Sequence, residues 1–150
     1  MNEILHYPFK KDPFPTKYFY YFTNRFNEQY EVSFTRAKDD YLRILISFCV
    51  TNEEYENDQY VVTNKGDIFR VLNTVCLIIL KFSEEHPNVN HYVFSGERRD
   101  FETKETHPVT GRTRVFLRFA KKFFQPPEWK IVQDGNFVHL YKGEVINVNF

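Results

Sequence analysis

The apolar residues of this chain change their spacing partway along it, and that change limits the folds open to it. In residues 29 to 36, Tyr30, Val32 and Phe34 alternate with Glu31, Ser33 and Thr35, the period of two that belongs to a strand with one buried face. KYFYYFT near 17 to 23 and YLRILISFCVT near 41 to 51 are also rich in strand formers. In the latter, Leu42, Ile44, Ile46 and Phe48 share one face, while Leu45 and Cys49 make the other face partly apolar, the mark of a central strand. QYVVT at 59 to 63 predicts a short further strand. The spacing then lengthens: Ile68, Val71, Leu72, Val75, Ile79 and Phe82 fall at helical intervals, predicting a helix over about 66 to 85. Asn64 is placed to cap it, Asp67 falls in its first turn, and Pro87 stops it.

HYVFS at 91 to 95 reads as the next strand. A polar loop at 97 to 111 follows, then a second helix, RTRVFLRFAKKFFQ at about 112 to 125, ended by Pro126 and Pro127. Asp134-Gly135 lies between the alternating runs WKIVQ and NFVHLY and predicts a two-residue hairpin turn. EVINVNF at the end can add one more strand. Residues 1 to 16 carry Pro8, Pro13 and Pro15 among apolar side chains and read as an extended arm. The expectation is a single domain over 1 to 150 of the α+β class, in the order β-β-β-β-α-β-α-β-β, with one mixed or mainly antiparallel sheet packed with two helices.

Composition narrows the function classes. Twenty basic and twenty acidic residues balance, so no global field draws the chain to nucleic acid or an anionic membrane. Cys49 and Cys76 sit inside apolar runs, which favours buried reduced thiols and a cytoplasmic setting. No segment reads as a secretory leader, and the longest apolar run, CLIIL, is too short to span a bilayer. The five histidines show no paired zinc spacing and no phosphate-loop or nucleophile-elbow motif occurs, so neither a metal nor an organic cofactor is expected. The acidic run at 52 to 58 lacks the alternation and the glycine turn of a calcium loop. Glu102-Thr103-Lys104 and Glu128-Trp129-Lys130 match the short Glu-x-Lys element of some nucleases, a pattern that arises readily by chance. His107 in the long loop is a lone candidate acid or base. The seventeen Phe, ten Tyr and one Trp are unusual; they first serve a core, and exposed ones would serve a partner.

Two placements carry candidate sites. If the strands at 59 to 63 and 91 to 95 flank the first helix as a crossover unit, both helices begin at the same sheet edge. Thr63, Asn64, Lys65, Gly66 and Asp67 then lie near Ser95, Gly96, Glu97, Arg112 and Thr113, around two sets of helix N-terminal N–H groups suited to an anion. The plainer alternative is that Arg112 pairs with Asp67 or Glu97 and closes the gap. On the second helix, Phe116, Phe119, Ala120 and Phe123 form an apolar stripe, and Arg114, Arg118, Lys121 and Lys122 share the opposite face. Such a face can grip phosphates, as in nucleic-acid binding, or serve only as a solvated surface.

The run TNKGDIFRVLNTV, then FSG, then RTRVFLRFAKKF resembles a family of small uncharacterised proteins from the Bacteroides group and from phages. Its members have a Gly-Asp-x-Phe-x-Val-x-x-Thr-Val-like helix start, a strand, and an Arg-x-(Arg/Lys)-Leu-Tyr-like helix. The likeness covers Thr63 to Phe123; the loop at 97 to 111 is an insertion, and Val115-Phe116 stands where Leu-Tyr is expected. It implies the order of elements and a bacterial or phage origin, and no activity. The expected function is a non-catalytic binding module with a protein partner, in a role such as antitoxin, immunity or defence modulation. Nucleic-acid binding through the basic helix face and an enzyme acting on a phosphorylated or nucleotide substrate are the alternatives.

Overall fold

The computed structural model describes residues 4–14, 18–40, 42–51, 67–96 and 102–143. Along the chain come β1 (Lys10–Lys11), β2 (Phe19–Thr23), β3 (Gln29–Arg36), β4 (Arg43–Val50), α1 (Ile68–Glu85), β5 (His91–Ser95), α2 (Gly111–Phe123), β6 (Trp129–Asp134) and β7 (Phe137–Lys142). They form one seven-stranded mixed sheet and two helices, the α+β class and the element order that the spacing predicts. The four strands ahead of α1 include β1, which lies in the segment read as an extended arm. The expected strand at 59–63 and the terminal EVINVNF lie outside the described residues.

The sheet order is β1-β2-β3-β4-β5-β7-β6, antiparallel throughout except for β4 and β5. The parallel partner of β5 is β4. Parallel neighbours need a long crossover, and the chain from β4 through α1 to β5 supplies it. β4 also takes the middle of the sheet, where its long apolar run is best covered.

Alternation decides which side of the sheet is covered. Tyr20, Phe22, Tyr30, Val32, Phe34, Ile44, Ile46, Tyr92, Phe94, Val138 and Leu140 are buried in one core with Val71, Leu72, Val75, Ile79 and Phe82 of α1 and Phe116, Phe119 and Ala120 of α2. Rings pack most of this layer: Phe34 stacks on Phe82 with centroids 4.1 Å apart, and Phe94 meets Phe116 at 4.3 Å. Burying each such ring contributes about 1.5–3 kcal/mol, which is how the aromatic excess is used. The α1 end is held by Tyr20, whose hydroxyl donates to Glu85 Oε1 at 2.9 Å.

Two boundaries differ from expectation. α1 begins at Ile68 with Asp67 as its N-cap residue, and the Asp67 side chain makes no cap hydrogen bond, because its carboxylate is turned into the protein, as described below. Asn64, the expected cap, lies outside the described residues. In the hairpin, Asp134 pairs with Phe137, so the turn residues are Gly135 and Asn136, one position later than expected. Gly135 takes φ +60°, the conformation that a primed two-residue turn requires of its first residue.

Candidate functional site

At the end of the sheet where β4 and β5 finish, polar groups gather beneath the start of α1. Asp67, only 2% exposed, accepts a hydrogen bond from the Tyr7 hydroxyl at 2.6 Å and one from Asn24 Nδ2 at 2.8 Å. Asn24 Nδ2 also donates to Glu28 Oε1 at 2.6 Å, and Asn24 Oδ1 accepts from the backbone N–H groups of Phe26 and Glu28. One asparagine thus locks the β2–β3 turn, where Asn27 takes φ 63°, and joins it to the helix start. Tyr7 brings in the arm: its N–H donates to Thr74 Oγ1 at 2.8 Å, and the Arg70 guanidinium lies 4.0 Å from its ring centre. The buried Tyr30 hydroxyl has no hydrogen-bond partner among the described residues. Burial first, then the Glu28 and Asp67 carboxylates, raise its pKa well above the ordinary tyrosine value, with Arg112 acting against them.

Asp67 and Arg112 therefore stand at the same end of the sheet and both influence Tyr30. The plainer alternative gives Asp67 or Glu97 as the partner of Arg112; Asp67 instead accepts hydrogen bonds from Tyr7 and Asn24. Thr63, Asn64, Lys65, Gly66 and Glu97 lie outside the described residues.

Ser95, Gly96, Arg112 and Thr113 do come together, in a self-satisfied lock. The Gly96 N–H donates to Thr113 Oγ1 at 2.9 Å, and Gly96 O accepts from Asn136 Nδ2 at 2.8 Å. The Thr110 N–H donates to Asn136 Oδ1 at 2.9 Å, and Thr110 Oγ1 caps α2 by accepting from the Thr113 N–H. The Thr113 N–H expected to face an anion is thus occupied by the helix's own cap. Thr110 and Asn136 were not singled out from the sequence. The Thr-x-x-Thr spacing ahead of an apolar stripe could have marked Thr110, whereas Asn136 acts across 26 residues and carries no local signal.

The basic face of α2 is present as expected. Arg114, Arg118 and Lys121 are exposed, and Lys122, also exposed, leans back so that its Nζ lies 4.7 Å from the Phe119 ring centre. His107 sits 3.7 Å from Glu102.

The other face of the sheet is where the residues depart most from an ordinary surface. Leu45 is 41% exposed, Phe137 49% and Tyr141 38%, with Val132 beside them. Registers set these side chains in rows across the strands: Leu45, Val93, His139 and Val132 in one, and Arg43, His91, Tyr141 and Lys130 in the next. His91 Nε2 and His139 Nδ1 lie 2.9 Å apart, and the His91 ring stacks on Tyr141 at 4.3 Å. Burial, then His139 and Arg43, lower the His91 pKa, with Asp40 opposing. A groove of about 500 Å³ opens between β4 and β5 on this face, lined by Leu45, Ser47, Cys49, Ser95 and Phe137, with Arg112 among its walls.

Among the described residues no group of three or more His, Cys, Asp or Glu gathers to hold a metal ion, and no helix is long and apolar enough to cross a membrane. Comparison of the chain with protein-family models, with curated proteins and with solved structures finds no match.

Proposed function

We propose that this chain is a non-catalytic binding module that meets a protein partner on the sheet face opposite its helices. The observation that carries this reading is the exposure of Leu45, Val132, Phe137 and Tyr141 in adjoining rows of one face. A surface with an apolar, aromatic centre and charges toward its margin has the make-up of a protein interface. Tyr and Phe are side chains that anchor such interfaces at small cost in conformational entropy. The charges of this face are mixed, with Arg43 and Lys130 against Glu31 and Asp134, which favours a protein over a polyphosphate backbone. The identity of the partner decides between antitoxin, immunity and defence-modulating roles.

The test is a photo-crosslinking amino acid placed at Leu45 on the sheet face and, separately, at Arg118 on the exposed side of α2, in the chain expressed in bacterial cells. Protein adducts at position 45 and none at 118 are expected. Adducts at 118 alone, or nucleic-acid adducts there, would overturn the reading in favour of the basic helix face.

A further inference from the structure

We infer that the partner seated on this sheet face is a second copy of the same chain, packed face to face about a twofold axis that runs across the strands through the row of Leu45, Val93, His139 and Val132. The inference rests on the sheet face being the binding surface and adds the occupant.

Its basis is a self-complementary arrangement fixed by the registers. On β6, Lys130 and Asp134 lie two residues to either side of Val132, and on β7, Tyr141 and Phe137 lie two residues to either side of His139. The pairings Lys130 with Tyr141, Val132 with His139 and Asp134 with Phe137 set these in three successive rows. A half-turn about the middle row keeps each strand over its own copy and exchanges the outer rows. Lys130 then faces Asp134 of the second copy, twice per dimer, and Tyr141 faces Phe137 of the second copy. Leu45 meets Leu45 at the axis. Of the remaining charges, Arg43 shares the Lys130 row but is ion-paired with Asp39, Asp40 borders that same end beside His91, and Glu31, opposite Cys49, lies toward the Asp134 end, so the self-complementarity rests on Lys130 and Asp134. Lys10, opposite Tyr21 at the far edge, has Asp12 bonded to that tyrosine beside it.

An interface in which one patch is complementary to itself under a twofold is the form that closed homodimers take. Two sheets packed in this way cross at about −30° with side chains from both faces interleaving. The half-turn also sets Arg43 and His91 of the second copy over the β4–β5 groove, whose Ser47 and Ser95 hydroxyls line it.

The test is sedimentation equilibrium of the purified full chain at tens of micromolar, with far-UV circular dichroism and thermal melts as controls for folding. The expected mass is twice 18.2 kDa. Lys130→Asp, which sets acid against acid twice, should raise the dimer dissociation constant tenfold or more, and adding Asp134→Lys in the same chain should restore it. Leu45→Arg should leave a folded monomer. A wild-type protein that stays monomeric would overturn the inference, as would a dimer indifferent to Leu45→Arg; that result would point to pairing along the β6 edge, where the charge swap would also act. The cellular crosslink separates the two claims: a position-45 adduct to a different protein, with a monomeric purified chain, removes the second copy and leaves the binding face. Absence of any adduct with a monomeric chain removes both.

Discussion

Replacing Asp67 with alanine should cost this protein more stability than any surface substitution, because one buried carboxylate holds three separate pieces of chain together. It joins the start of α1 to the arm through Tyr7 and to the β2–β3 turn through Asn24. Hydrogen bonds to a charged acceptor are worth about 1.5–3 kcal/mol each, and a buried donor left without an acceptor adds a desolvation cost of similar size. Against this, removing a carboxylate that is 2% exposed relieves its own burial penalty. The net expected loss is about 2–4 kcal/mol, a fall in melting temperature of roughly 6–12 °C for a domain of this size. Urea denaturation monitored by circular dichroism gives the free energy, and hydrogen exchange over residues 4–11 should show the arm loosening. Tyr7→Phe should loosen the arm equally at about half the cost in stability. An Asp67→Ala protein that melts within about 2 °C of the parent would refute the reasoning.

Gly96→Ala should destabilise the fold by about 1–3 kcal/mol, since an added Cβ would stand 2.6 Å from Thr110 Oγ1, 2.8 Å from Arg112 Cβ and 2.9 Å from Thr113 Oγ1; a melt unchanged from the parent would contradict the lock. The His91 pKa is lowered in the folded chain from the 6.5 of a free imidazole, so the unfolded chain binds its proton more readily. The associated stability is full above about pH 7, falls as the pH drops through 6.5 towards the folded value, and levels off below it. Chemical denaturation at about pH 7.5 and about pH 5, on either side of that window, should show a smaller pH dependence for His91→Gln than for the parent. Arg118→Ala with Lys121→Ala should alter stability by less than about 0.5 kcal/mol per site, and thermal melts of the double variant check it.

Where local periodicity rules, the sequence was legible. The alternation in β3, the helical spacing of α1 and the turn signal before β7 each placed an element, because burial of one face imposes its period directly on neighbouring residues. Termini were less legible. Asp67 reads as an acid suited to a helix start, and only the long-range approach of Tyr7 and Asn24 explains why its carboxylate turns inward instead of capping. The parallel partner of β5 likewise depended on which strand reaches the centre of the sheet, a property of the whole chain.

The candidate surface was legible only in part. Leu45 and Cys49 were visible as apolar residues on the second face of β4, and that pattern predicts a strand covered on both sides. Both helices pack on the other side, and Leu45 is left exposed. Phe137, His139 and Tyr141 carry the same signal on β7, alternating with buried Val138 and Leu140. An apolar second face marks a strand to be covered, and the covering can come from outside the chain.

The most direct measurement of that claim is hydroxyl-radical footprinting of Phe137 and Tyr141, comparing the protein inside expressing cells with the purified chain at high dilution. The account predicts that both rings are shielded in cells and oxidised in the dilute chain, while the exposed Phe69 ring on α1 is oxidised in both. Oxidation of Phe137 and Tyr141 in cells as full as that of Phe69 would contradict it, because the face would then meet no partner.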